Sequence, residues 1–190
     1  MTMSPGVRKF ALATHLTVSI GWLGAVAAYI ALDVSTVTSQ DDQMLRAAYL
    51  SMESIVRYII VPLALASLLT GLVMSLGTKW GLFRHYWVLI SLVLTVIATL
   101  FLLSETQTIG NLADVAADPT TSSRELRALP STLLHSVGGT VVLLVILVLN
   151  IYKPPGLTRY GWRKQHEARV QVAGDRAQRM PPADASSSVS

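Results

Sequence analysis

The chain has 190 residues, 52% of them hydrophobic and only 14% charged, and a formal charge of +4; its mean hydropathy is +0.51. A soluble domain carries about 25% charge, so the composition argues against a water-soluble fold and for one small helical domain in lipid. The absence of cysteine excludes disulfides, c-type haem attachment, thiolate zinc sites and iron–sulfur clusters.

Four nearly uncharged runs reach the roughly 20 residues that a helix needs to cross the hydrocarbon core. The first is expected from about Phe10 to Asp33, behind Arg8 and Lys9. It is longer than a signal-peptide core and contains His15 and Trp22, so it reads as a retained helix. Ser39 with Asp42 three positions on reads as a helix N-cap and its acidic partner. The helix opening there is expected to run to Gly77, with an amphipathic start through Glu53 and Arg57 outside the bilayer. Span two occupies about Tyr58 to Leu76, and Pro62 near its outer end predicts a kink.

A short loop with Lys79 and Arg84 leads to span three, about Tyr86 to Ser104, bracketed at its start by Trp80 and Trp87 as interfacial aromatics are. The helix is expected to continue past Glu105 toward Ala117, where Pro119 stops it. Ser122 and Glu125 have capping-box spacing. Pro130 suits the first turn of span four, about Ser131 to Tyr152, which ends at Lys153-Pro154-Pro155-Gly156. Residues 1–153 thus form the transmembrane domain, and 154–190 a basic, largely disordered cytoplasmic tail. Tyr160 and Trp162 among its basic residues suit contact with anionic lipid; no nucleic-acid motif is present.

Basic residues set the orientation. Eleven lie at the N-terminus, in the second loop and in the tail, against four in the first and third loops, where eight of the eleven acidic residues also fall. The positive-inside rule then places both termini in the cytoplasm and the helical extensions on the outer side of the plasma (cell inner) membrane. The fold expected is an all-α, four-helix transmembrane bundle.

At about 100° per residue, His15, Ser19, Trp22, Tyr29 and Asp33 share one face of span one. Ser67, Gly71 and Ser75 repeat on span two in the small-xxx-small pattern of close helix packing. Arg84, Ser91, Thr95, Ala98 and Glu105 form a stripe on span three. His135 shares a face with Ser131, Gly138, Gly139 and Lys153. Packing accounts for the small residues and the aromatics.

Ionisable groups within spans point to function. Asp33, Glu53, Glu105 and His135 gather near the outer boundary and are candidate metal ligands or proton carriers. Arg57 can pair with Glu53 at i,i+4, and Arg84 is a second candidate for an ion pair. The competing account of this outer cluster is a salt-bridge network that fixes helix register. His15 lies at the opposite depth and is a candidate ligand or proton carrier in its own right. It cannot share one haem with His135, because two axial nitrogens stand only about 4 Å apart.

The string from His15 to Gly24 (HLTVSIGWLG) and that from Trp80 to Trp87 (WGLFRHYW) resemble a group of uncharacterised actinobacterial four-span membrane proteins, a likeness covering about residues 8–165. The His-x6-Trp-x-Gly pattern also resembles the first helix of HemJ-type protoporphyrinogen oxidases and copper-resistance D domains. That likeness implies haem b or metal ligation at His15. A second inward histidine at that depth is missing from the pattern here. The leading expectation is a non-enzymatic accessory, assembly or transport-associated membrane subunit, in contact with lipid and with a further copy or another membrane protein. The alternatives are a haem- or metal-associated redox protein using His15, and a proton or cation carrier using the outer cluster.

Overall fold

A computed structural model describes residues 3–77 and 84–179. Helix α1 (Pro5–Thr38) is followed by α2 (Asp42–Ile55), which passes through a π-helical turn (Val56–Ile60) into α3 (Val61–Gly77). Then come α4 (Tyr86–Ala117), the short α5 (Ser123–Arg127), α6 (Leu133–Tyr152) and α7 (Arg159–Arg179). No strand forms among the described residues, although His85 and Leu157 make an isolated bridge. Four helical stretches, 5–38, 42–77, 86–117 and 133–152, are long and apolar enough to cross a membrane.

The chain's punctuation explains the element ends. Three residues separate α1 from α2, and the cap is Asp41, whose side chain accepts from the Gln43 N–H at 3.0 Å. Ser39, expected to cap α2, is instead the C-terminal residue of α1's last turn and accepts from the Asp41 N–H. Asp41 is also a capping residue and lies closer to the helix, so it displaces the serine. Pro62 has no N–H for the Tyr58 carbonyl, and its ring would press on that carbonyl in a regular helix. The chain widens over the preceding turn, where the Val61 N–H reaches back five residues to the Val56 carbonyl. At the far end of α4, Asp118 is extended (ψ 116°), as a residue before proline must be.

The expected capping box is present: Ser122 Oγ accepts from the Glu125 N–H, and Glu125 Oε2 accepts from the Ser122 N–H. Pro130 stands two residues before the α6 cap, Thr132, rather than within the first turn. Helix α6 ends at Lys153 in the left-handed conformation (φ 44°), and Pro154 denies the helix a continuation.

The helices form a ring. α1 packs on α2, α3 and α6, while α4 packs on α2, α3 and α6. Trp22, Val26 and Tyr29 of α1 meet Met52, Val56, Ile60 and Ala64 of the second hairpin arm and Ile109 of α4 in the main core. A second cluster, Leu45, Tyr49, Leu112, Ala116 and Leu126, ties α5 onto α2 and α4. There the Arg46 guanidinium donates to the carbonyls of Ala116, Asp118 and Thr121 at 2.7–2.8 Å. A cation is favourable at this helix C-terminus. Arg127 meets Asp42 at 2.9 Å and donates to the Gln40 carbonyl, closing α5 against the α1–α2 turn.

The tail differs from the disordered segment expected. α7 spans 21 residues, rich in Arg, Gln and Ala, which are good helix formers. Its approach is docked: the Thr158 N–H and the Tyr86 N–H donate to the carbonyls of Arg84 and Gly156. Lys79, Trp80 and the stretch from Pro181 lie outside the described residues.

Candidate functional site

The polar stripe of α1 faces inward along its length, and it meets a different partner at each depth. Near its start, His15 Nδ1 lies 2.9 Å from Thr70 Oγ1. The Thr70 hydroxyl already donates to the Ala66 carbonyl at 2.7 Å, so the imidazole N–H donates to Thr70. One turn on, the hydroxyls of Ser19 and Ser67 are 2.8 Å apart. A Cβ on Gly71 would stand 3.2 Å from His15 Cε1 and 3.9 Å from Nε2. The small-residue pattern of span two therefore seats the imidazole against α3.

His15 is held as an interhelical hydrogen-bonding residue, with Nδ1 on Thr70 and the Cε1 edge of its ring toward Gly71.

At the other end of α1, Asp33 is fully buried. Its Oδ2 accepts from Thr132 Oγ1 at 2.7 Å and its Oδ1 from Ser131 Oγ at 2.9 Å. Thr36, one turn on, lies 3.3 Å from Oδ1. The Tyr29 hydroxyl is 2.6 Å from Thr132 Oγ1. Thr132 has one proton and gives it to the carboxylate, so Tyr29 donates to Thr132. The result is a hydroxyl chain, Tyr29 to Thr132 to Asp33, joining α1 to the head of α6.

Glu105 of α4 and His135 of α6 form the neighbouring pair, with Oε2 and Nδ1 3.5 Å apart. Phe101 meets the His135 ring edge-on, centroids 5.7 Å apart. Both residues line a half-open cleft of about 420 Å³ between α1, the π turn, α4 and α6. Trp22, Ile60, Leu94, Phe101 and Val142 supply apolar walls, and Tyr29 and Thr132 open onto the same space. Gly138 and Gly139 also line it, and a Cβ on either would meet nothing within 4 Å. These glycines do not bring helices together, as the packing expectation held. They leave the cleft its width.

The remaining candidates lie apart. Glu53 pairs with Arg57 at 3.4 Å on the surface of the helix they share. The backbone carbonyl of Arg84 receives the Thr158 N–H. Among the described residues, no group of three or more carboxylate and imidazole side chains is placed to hold a metal. Asp33, Glu53, Glu105 and His135, read as joint cation ligands, do not meet at one point. The Asp33 carboxylate is instead surrounded by the hydroxyls of Ser131, Thr132 and Thr36. Along α4, Thr95 and Thr99 donate to carbonyls one turn back, whereas the buried Ser91 hydroxyl has no hydrogen-bond partner among the described residues.

Sequence reasoning passed over Thr132 and Arg46 as site and clasp residues. Thr132 was readable only through its position beside Ser131 at the head of a span. Arg46 sits in an amphipathic segment where its three carbonyl partners are 70 or more positions away.

Four apolar helices of crossing length around a buried carboxylate and a polar-mouthed cleft define the class of protein. No family model, curated protein or solved structure matches the chain.

Proposed function

We propose that this chain is a multi-pass plasma-membrane protein, both termini cytoplasmic, acting as a non-enzymatic accessory or transport-associated subunit that holds an amphipathic molecule in the α1–α4–α6 cleft. The observation that carries this reading is the Glu105–His135 pair, 3.5 Å apart at the rim of an otherwise apolar cleft of about 420 Å³. Ligand sites fall in the range of roughly 300–1,000 Å³ and combine apolar walls with a few convergent polar groups. The excess of basic residues near the termini and in α7 supports the orientation.

The test is native mass spectrometry of the protein purified in mild detergent, beside Gly138→Leu and Gly139→Leu. Both leucines grow into open space and fill the cleft. The expected result is a retained small amphiphile on the native chain that both variants lose. Equal retention in all three removes the cleft as the site.

A further inference from the structure

We infer that the cleft's ligand is a lipophilic monocation, an amphiphile with an amine head. This rests on the reading of the cleft as an amphiphile site and adds the sign of the head group. The argument is charge balance. Two carboxylates stand at the polar end: Glu105 in the lining, and Asp33 behind Thr132 and Tyr29. No lysine or arginine among the described residues lines the cleft. Among the described residues, neither carboxylate has a Lys or Arg partner, and Glu105 is balanced only by His135 at 3.5 Å.

Of the four arginines at this end of the bundle, Arg124 is exposed on α5 and outside the cleft lining, and the other three are committed elsewhere. Arg46 is bound to the carbonyls after α4, Arg57 to Glu53, and Arg127 to Asp42 and the Gln40 carbonyl. An anionic head would face two like charges with no cation in the lining to offset them, an electrostatically mismatched arrangement. A cation at the rim meets Glu105 directly and competes with His135 for it. Its chain has only apolar walls to follow.

The experiment is isothermal titration calorimetry of the full chain in nonionic detergent, with dodecylamine and dodecanoic acid as matched probes. Dodecylamine is expected to bind saturably, to weaken at least tenfold in Glu105→Gln, and to bind His135→Gln at least as tightly as the native chain. Dodecanoic acid is expected not to bind. Saturable dodecanoic acid binding, or dodecylamine binding unchanged in Glu105→Gln, overturns the cationic head while leaving the cleft an amphiphile site. Binding of neither probe, with no retained molecule by mass spectrometry, takes the cleft reading down with it. Should Glu105→Gln fail to fold, His135→Gln decides alone: weaker dodecylamine binding there overturns the inference.

Discussion

Asp33 and Thr132 are 99 positions apart in the chain, and their side-chain oxygens meet at 2.7 Å. That contact fixes the head of α6 against α1 and carries the Tyr29 hydroxyl with it. Thr132→Val keeps the shape and removes the hydroxyl, leaving Asp33 one donor short and Tyr29 without its acceptor. Interhelical hydrogen bonds in membranes average about 0.6 kcal/mol, whereas a buried group left unsatisfied costs about 1–3 kcal/mol. The second effect dominates, so Thr132→Val is expected to cost about 1–2 kcal/mol and lower Tm in detergent by several degrees. Thr132→Ser should stay near the native value. An unchanged Tm for the valine variant would show that the chain of hydroxyls contributes nothing.

The four crossing helices were legible because lipid leaves few options: an apolar run of about 20 residues must satisfy its backbone internally. The inward stripe of α1, from His15 to Asp33, was legible for the same reason. What the stripe would touch was not. Periodicity gives the direction of His15 but not that Thr70 and Gly71 receive it. Gly138 and Gly139 looked like packing residues because the pattern is the same whether a neighbouring helix arrives or stays away. The pairing of Arg46 with carbonyls beyond α4 depends on how the second hairpin arm lies across α4, which is tertiary information. The four outer ionisable residues share a depth, and depth alone did not bring them to one point.

Gly71 offers a cleaner reading of the α1–α3 seam. Alanine gains up to about 1 kcal/mol of helix propensity over glycine, but here its Cβ would stand 3.2 Å from the His15 ring. Overpacking typically costs about 1–3 kcal/mol, and the imidazole is held by Thr70, so it cannot simply swing away. Gly71→Ala is expected to be neutral to destabilising in the native chain. In a His15→Ala background it should stabilise. The two backgrounds should differ by about 1 kcal/mol or more in a double-mutant cycle; strictly additive effects would place the ring elsewhere.

Acid should act first on α5. The Ser122 N–H and hydroxyl hold the Glu125 carboxyl below its usual range, and the Thr120 hydroxyl and N–H do the same for Asp118. Both groups favour the folded arrangement when ionised, so their contribution is present above the unfolded carboxylate range. It is lost as pH falls from about 4.5 through the lower folded values. Amide exchange at Ser123–Arg127 is expected to accelerate in that window, once intrinsic exchange is corrected, while the core of α4 stays protected. Ser122→Ala should flatten the response; a pH profile unchanged by that substitution would remove the capping box as its cause.

The docking of the tail is tight at Gly161. A Cβ there would collide with the Arg84 carbonyl, the oxygen that receives the Thr158 N–H at 3.1 Å. Backbone on backbone leaves no flexible side chain to yield, so Gly161→Ala must push the start of α7 away from the head of α4. None of the main core residues is touched, so the loss is confined to the tail. The expected outcome is faster tryptic cleavage after Arg159 and Arg163 in the intact, detergent-purified protein, with the bundle's Tm unchanged. Identical cleavage kinetics in the variant would mean that the 156–161 segment is not held against Arg84 in solution, and that α7 moves independently of the bundle.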